Sequence, residues 1–146
     1  MSRSVADTYD LQRFVDAQTP EYARVCTELR RGEKSGHWMW FIFPQIEGLG
    51  KSSTSKRYAI SCVNEAREYL AHQTLGDRLR NCTQLVCDVK GRTAHEIFGH
   101  PDYMKFRSSM TLFAHATPDE RLFVDALRIY FRGEPDPMTL ALLRLA

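Results

Sequence analysis

The sequence predicts an all-α protein, a compact single-domain bundle of about seven or eight helices joined by short connections. Apolar residues recur at helical spacing through most of the chain. Residues that start and stop helices fall between these segments. Strand-like runs are limited to residues 40–43 and 85–89, which are too few to build a sheet.

Length and composition fit one ordinary domain. The chain has 146 residues, of which 43% are hydrophobic and 26% are charged, so neither a disordered nor a membrane protein is indicated. We predict an N-terminal tail over residues 1–9 and a single helical domain over residues 10–146.

The predicted helical faces follow one another along the chain. Their apolar residues are Leu11, Phe14, Val15; Tyr22, Val25, Cys26, Leu29; Ala59, Cys62, Val63, Ala66, Tyr69, Leu70; Leu75, Leu79, Cys82, Val86; Tyr103, Phe106, Met110, Phe113; Phe123, Val124, Leu127, Tyr130, Phe131; and Leu140 to Leu145. Predicted helix starts are Thr19-Pro20, Thr117-Pro118 and Asp136-Pro137, with capping boxes at Thr93/Glu96 and Thr117/Glu120, and predicted stops are Gly32, Gly91 and Gly133.

Charge and hydropathy argue against two classes of partner. The net charge is only +2, and acidic residues are interspersed with the basic ones, so nucleic acid is an unlikely partner. The longest apolar run, Trp38 to Phe43, is far shorter than the ~20 residues that cross a bilayer. The first residues contain no apolar stretch typical of a signal peptide, so we expect a cytoplasmic protein without membrane association.

Four cysteines are present, and none forms a Cys-x-x-Cys motif. In a cytosolic chain we expect them to be reduced and mostly structural, with a reactive thiol or a metal ligand as the alternative. We predict no metal site and no cofactor.

The densest segment of the chain is His37-Trp38-Met39-Trp40-Phe41-Ile42-Phe43-Pro44-Gln45, which contains both tryptophans. It is either the centre of the core or one wall of a pocket in which a tryptophan stacks on a planar ligand. Residues two apart cannot share a helix face, so if the segment is helical at least one of Trp38 and Trp40 should face away from the main core.

A glycine turn follows at Gly48-Leu49-Gly50-Lys51-Ser52. It resembles the end of a nucleoside-triphosphate loop, but Gln45 occupies the position of the first glycine and no parallel sheet is predicted. Two interpretations remain. The glycines expose backbone amides to an anion near Lys51 and Ser52, or they only provide the backbone angles of a tight turn.

A hydroxyl strip lies in the helix predicted around residues 103–113. Ser108 and Thr111 share a face with Lys105, beside the apolar residues. The strip either binds an anion or hydrogen-bonds another part of the fold.

Several strings in the chain resemble those of a bacterial family known as domain of unknown function 1810. They are His37 to Gln45, Gly48 to Ser52, Glu65 to His72, Leu75 to Leu79 and Lys105 to Phe113. The resemblance runs from about Asp10 to about Leu143, with local departures at Gln73 and Glu33. It implies an all-helical single domain of unassigned activity and brings no known catalytic residue.

Together these features predict a pocket for a small polar or anionic molecule. Its predicted ligand-binding residues are Trp38, Trp40, Gln45, Lys51, Ser52, Lys105 and Ser108. His37 is the candidate acid or base, because the ordinary pKa of histidine lies near neutrality; whether a reaction occurs stays open, as does the oligomeric state. The alternative is a protein-interaction module with an exposed apolar patch that includes Trp40 and Ile42.

Overall fold

The fold is all-helical, as predicted, and the part of the chain described by the computed structural model is residues 6–145. Ten helices follow one another there: α1 (Gln12–Gln18), α2 (Tyr22–Arg31), α3 (Met39–Ile42), α4 (Ser53–Arg57), α5 (Val63–Ala71), α6 (Gln73–Asp88), α7 (Ala94–Phe98), α8 (Asp102–Ala116), α9 (Arg121–Phe131) and α10 (Pro137–Leu145). The first five residues of the predicted tail, and Ala146, lie outside the described residues.

The helix number was predicted too low because of short helices that carry little periodicity. Residues 40–43, considered as a strand, lie largely in the four-residue helix α3, and residues 85–89 belong to the end of α6. The serine-rich segment before Tyr58 forms α4. Within residues 6–145 the only β pairing is one parallel bridge between Ile46 and Ile60.

Two long helices, α6 and α8, organise the core. Helix α8 packs against α5, α7, α9 and α10, while α6 packs against α2, α5 and α9. Phe106, Met110 and Phe113 of α8 are fully buried, and Phe106 lies edge-on to Phe43 with ring centroids 5.0 Å apart. The aromatic string after residue 37 is therefore connected directly to the centre of the bundle.

Helix ends were predicted well where glycine or aspartate provides the signal. Gly32 has a left-handed backbone at the end of α2, with φ of 74°, and the Thr93/Glu96 capping box is present at α7. The Asp136 carboxylate accepts a hydrogen bond from the Thr139 amide at 3.1 Å, which places the start of α10 at Pro137 as predicted.

Two predicted helix starts come two and three residues too early. The Thr19 hydroxyl donates back to the Val15 carbonyl at 2.8 Å, so it extends the preceding helix and does not cap α2. Residues 117–120 form a turn, in which the Glu120 amide bonds the Thr117 carbonyl, and α9 begins only at Arg121. The Glu120 side chain instead pairs with Arg80 at 2.7 Å, which removes the predicted capping box.

Candidate functional site

Trp38 lies in the core and is not a wall of a ligand site. Its side chain is 0% exposed, and its indole Nε1 donates to the Glu28 carboxylate at 2.9 Å. The Phe43 ring lies 6.3 Å away by centroid. A ligand cannot reach this ring, so the interpretation of the aromatic string as core applies to Trp38.

Glu28 fixes the segment that leads into Trp38. The same carboxylate oxygen accepts from the amides of Ser35 at 2.8 Å and Gly36 at 2.9 Å. Burial raises the pKa of Glu28, but hydrogen bonds from Gly36, Ser35 and Trp38 outweigh it and lower the pKa to about 2. The sequence analysis did not identify Glu28, since an acidic residue in a helix usually faces solvent.

Trp40, unlike Trp38, is half-buried. The ammonium nitrogen of Lys105 lies 4.9 Å from its ring centroid, within the range of a cation–π contact. Trp40 also borders a niche of about 20 Å³ together with Gln45 and Gly50. That volume holds about one water molecule and is too small for an organic ligand.

The glycine turn is held by the bridge to Ile60. The Ile60 amide donates to the Gln45 carbonyl at 2.8 Å, and the Glu47 amide donates to the Ile60 carbonyl at 2.8 Å. Gly48 has φ of 106°, which favours glycine, and a Cβ on Gly50 would lie 2.4 Å from the Ser55 Cβ. These glycines are therefore required by the turn itself.

Lys51 and Ser52 are exposed and line no described cavity together with Lys105 and Ser108. The Ser52 hydroxyl accepts the Ser55 amide at 3.1 Å and so caps α4. Neither residue contributes to the cavity that Gln45 and Lys105 line. The structure thus separates two predicted ligand-binding residues from the others.

A cavity of about 310 Å³ lies between the glycine turn, the first half of α8 and the start of α10. We call it the Lys105 cleft; it is lined by Gln45, Leu49, Gly50, Pro101, Met104, Lys105, Ser108, Asp136 and Met138. Three predicted ligand-binding residues from distant parts of the chain meet here, namely Gln45, Lys105 and Ser108. A smaller cavity of about 160 Å³, which shares Met104, Ser108 and Asp136, continues from it toward Arg107.

The hydroxyl strip fastens the start of α10 to α8, and its Ser108 lines the cleft. The Ser108 hydroxyl lies 3.1 Å from both the Met104 carbonyl and the Asp136 carboxylate. Thr111 accepts the Asp136 amide at 2.8 Å. The strip therefore hydrogen-bonds another part of the fold, which was one of its two predicted roles. Of Ser108 and Thr111, only Ser108 also lines the cleft.

Lys105 is the cation of the cleft, and its charge is only partly compensated. Its ammonium nitrogen lies 3.6 Å from the Asp102 carboxylate, whereas Lys34 approaches the other oxygen of that carboxylate at 2.7 Å. The Lys105 side chain is 23% exposed, so it can still contact a bound molecule.

His37 is exposed and does not line the Lys105 cleft. Conversely, sequence reasoning missed Asp136, Met104 and Met138 as cleft residues. Asp136 was identified only as a helix cap, and no sequence signal distinguishes a methionine beside a cleft from one in a core.

A larger cavity, of about 480 Å³, lies elsewhere, between residues 6–12 and the end of α5. It contains none of the predicted site residues and opens next to Ala6, where the described residues begin. Within residues 6–145 no helix is both long and apolar enough to cross a membrane.

The chain matches the model of a protein family over residues 8–143, and that family is described as a protein of unknown function (DUF1810). The chain belongs to the DUF1810 family. This confirms the resemblance found in the sequence, and the family description assigns no activity or ligand. No curated protein matches the chain.

A solved structure provides a close comparison for this family member. The conserved hypothetical protein Rv1873 from Mycobacterium tuberculosis is 54% identical to it, and the match covers 96% of this chain and 100% of that chain. The TM-score is 0.94, so the two folds agree over nearly their whole length.

Proposed function

We propose that the protein binds a small organic anion with an apolar body in the Lys105 cleft. The observation that carries this proposal is the meeting of Gln45, Lys105 and Ser108 in one cavity of about 310 Å³, beside the half-buried ring of Trp40. Ligand sites are commonly cavities of ~300–1,000 Å³ with a few polar groups in an apolar wall, so a small ligand fits best.

The anionic end of the ligand would meet Lys105. Lys34 is the nearer partner of Asp102, at 2.7 Å against 3.6 Å, so Lys105 keeps hydrogen-bonding capacity for a carboxylate or phosphate. A charge-assisted hydrogen bond contributes about 1.5–3 kcal/mol, or roughly a tenfold to hundredfold change in Kd. The Gln45 amide is a second polar group on the same wall.

The apolar part of the ligand would lie against Met104 and Met138. These side chains are 50% and 58% exposed, although large hydrophobic residues are usually buried. Methionine adapts its shape to a bound partner, and each methylene group that it covers contributes about 0.8 kcal/mol. We propose binding without a reaction, because His37, the predicted acid or base, does not line the cleft.

The second candidate function is a protein-interaction surface. The predicted patch of Trp40 and Ile42 does not form, since Ile42 is only 2% exposed. The exposed methionines at the cleft could instead contact an apolar partner, and this is the observation that keeps the alternative open.

Tryptophan emission tests the proposal, because the Trp40 ring contacts Lys105, which lines the cleft, and Trp38 is enclosed. We would titrate the protein with nucleotides, sugar phosphates and short-chain fatty carboxylates, and then repeat the titration with Trp40→Phe. A ligand of the cleft should change the emission of the wild type and leave that of Trp40→Phe nearly unchanged.

Two lysine variants form a matched pair for the same titration. Lys105→Met should raise Kd at least about tenfold, while Lys51→Met, at an exposed lysine outside the cleft, should not change it. Equal effects of the two substitutions would contradict the assignment of the site. A flat response to every ligand, together with self-association that increases with concentration, would favour the interaction surface.

A further inference from the structure

Asp136 brings a negative charge to the Lys105 cleft. It lines both this cleft and the smaller cavity of about 160 Å³ that continues from it, and it is half-buried. A carboxylate in the wall of a cavity repels a ligand that carries only negative charge. Its position therefore restricts the kind of molecule that the cleft can hold.

One carboxylate oxygen of Asp136 is used by the fold, and the other is available. Oδ2 accepts hydrogen bonds from the Ser108 hydroxyl at 3.1 Å, the Thr139 amide at 3.1 Å and the Thr139 hydroxyl at 2.5 Å. Within residues 6–145 no group donates a hydrogen bond to Oδ1, and this oxygen is not one of the buried atoms that lack a partner. Because each oxygen of an ionised carboxylate accepts hydrogen bonds, Oδ1 can accept from a molecule in the cleft.

No cation of the fold neutralises Asp136. In the described part of the chain it takes part in no ion pair. Arg107 lines the smaller cavity, but its Nε donates to the Glu134 carbonyl and its Nη2 to the Pro135 carbonyl, each at 2.9 Å. A half-buried carboxylate without a cation favours a bound positive group, because charges attract more strongly where water is partly excluded.

Lys105 provides the opposite charge in the same cleft. Its ammonium lies 3.6 Å from Asp102 and forms no ion pair with Asp136 among residues 6–145. Ser108 connects the two sites, since it follows Lys105 by about one turn of α8 and its hydroxyl contacts Asp136. Two opposite charges thus line one cavity without pairing, and a molecule that carries both an anionic and a cationic group is complementary to them.

We propose that the ligand of the Lys105 cleft is a zwitterion, namely an α-amino acid with an apolar side chain; this inference rests on the anion-binding function proposed above. The ligand carboxylate accepts a hydrogen bond from Lys105, and the ligand ammonium donates to Asp136 Oδ1. The apolar side chain lies against Met104 and Met138, which line the cleft. The volume of about 310 Å³ is at the lower end of the range for small-molecule sites and suits a ligand of this size.

Leucine and two analogues that each lack one charge test this inference on the wild-type protein. The first analogue, 4-methylpentanoate, is leucine without its ammonium group, and the second, 3-methylbutylamine, is leucine without its carboxylate. Titration calorimetry at pH 7 should give leucine a Kd at least about tenfold lower than that of either analogue, because each analogue loses one charge-assisted hydrogen bond.

The possible results distinguish this inference from the proposed function. Equal affinity for leucine and 4-methylpentanoate would overturn the zwitterion and leave the anion site at Lys105 intact. Equal affinity for leucine and 3-methylbutylamine would overturn both, since Lys105 would then contact no carboxylate. Absence of binding by all three compounds would overturn the inference, and nucleotides or sugar phosphates that still bind in a Lys105-dependent way would preserve the proposed function.

Two substitutions assign the charges to residues. Asp136→Asn should abolish the preference for leucine over 4-methylpentanoate, and Lys105→Met should abolish the preference for leucine over 3-methylbutylamine. Glu134→Gln is the matched control, because Glu134 is an exposed carboxylate two residues before Asp136 that lines neither cavity, and it should leave both preferences unchanged. Circular dichroism checks that each variant is folded. A preference for leucine over 4-methylpentanoate that persists in folded Asp136→Asn, or that is lost equally in Glu134→Gln, would overturn the role of Asp136.

Discussion

Two regions of this protein each contain a tryptophan beneath a lysine, and both lysines approach the carboxylate of Asp102. The two regions nevertheless differ in what they can bind. In the interior region, the Lys34 ammonium lies 5.1 Å from the Trp38 ring and 2.7 Å from Asp102. At the cleft, the Lys105 ammonium lies 4.9 Å from the Trp40 ring and 3.6 Å from the same carboxylate.

The difference lies in how completely each lysine is used by the fold. Lys34 is 8% exposed and also donates to the Gly36 carbonyl at 2.6 Å. Lys105 is 23% exposed and keeps one face toward a cavity. Residue types and ring contacts alone therefore do not identify a binding site; unused hydrogen-bonding capacity beside an open volume does.

The largest effect should come from the charge that organises the interior region. Glu28→Gln keeps the size of the side chain but removes the negative charge that three donors surround. We expect the free energy of unfolding at neutral pH to fall by about 3 kcal/mol in urea denaturation. Glu33→Gln, at an exposed position, is the control and should change it by less than about 0.5 kcal/mol.

Acid should reproduce this loss in the wild type. The folded pKa of Glu28, about 2, lies below its ordinary value of 4.5, so its contribution is complete above pH 4.5 and is lost as pH falls toward about 2. The difference in stability between wild type and Glu28→Gln should therefore shrink over this interval. A difference that stays constant over this interval would show that the ionised carboxylate of Glu28 is not the source of the stabilisation.

Lys34→Met should come next. It leaves Asp102 with only the more distant Lys105 and removes the donor to Gly36, so we expect a loss of about 2 kcal/mol in the free energy of unfolding. Thermal unfolding followed by circular dichroism measures it. A change below about 0.5 kcal/mol would mean that the two lysines are equivalent, and the comparison would fail.

Asp136→Ala tests how far the stability of the fold depends on the hydrogen bonds that join the start of α10 to α8. It removes the acceptor of the Thr139 amide and of the Ser108 hydroxyl, so we expect a loss of about 1 kcal/mol, typical of a helix cap. Asp136→Asn retains a capping oxygen and should lose less. If the two substitutions cost the same in urea denaturation, the charge and not the cap is what holds α10.

Lys105→Met should have the smallest effect on stability. Its ion pair with Asp102 is long and partly exposed, so we expect a loss of at most about 1 kcal/mol. Differential scanning fluorimetry beside Lys34→Met measures both on one scale. A larger loss for Lys105→Met than for Lys34→Met would reverse the comparison and make Lys105 a structural residue.

The candidate site could be predicted only in part. Gln45, Lys105 and Ser108 were identified and do meet at one cavity, whereas Lys51 and Ser52 follow Gln45 closely in sequence but do not line it. The Ser52 hydroxyl is used locally as the cap of α4, and the cleft lining from this turn ends at Gly50. Closeness in sequence therefore did not predict which residues line the same cavity.

The sequence by itself determined the helical class, several helix ends and the family. Apolar spacing, the left-handed preference of glycine and the capping chemistry of aspartate act within a few residues, so they can be read without a structure. The prediction that Trp38 and Trp40 face different ways assumed one helix through both, whereas Trp38 lies just before the first residue of α3, so helix geometry does not place its side chain.

Only the tertiary structure decided which tryptophan is buried and which lysine lines a cleft. Both depend on contacts that sequence spacing does not show, such as Trp38 with Glu28 and Lys105 with Trp40. A side chain's chemistry is set by its own type, but its availability is set by the neighbours that folding brings to it.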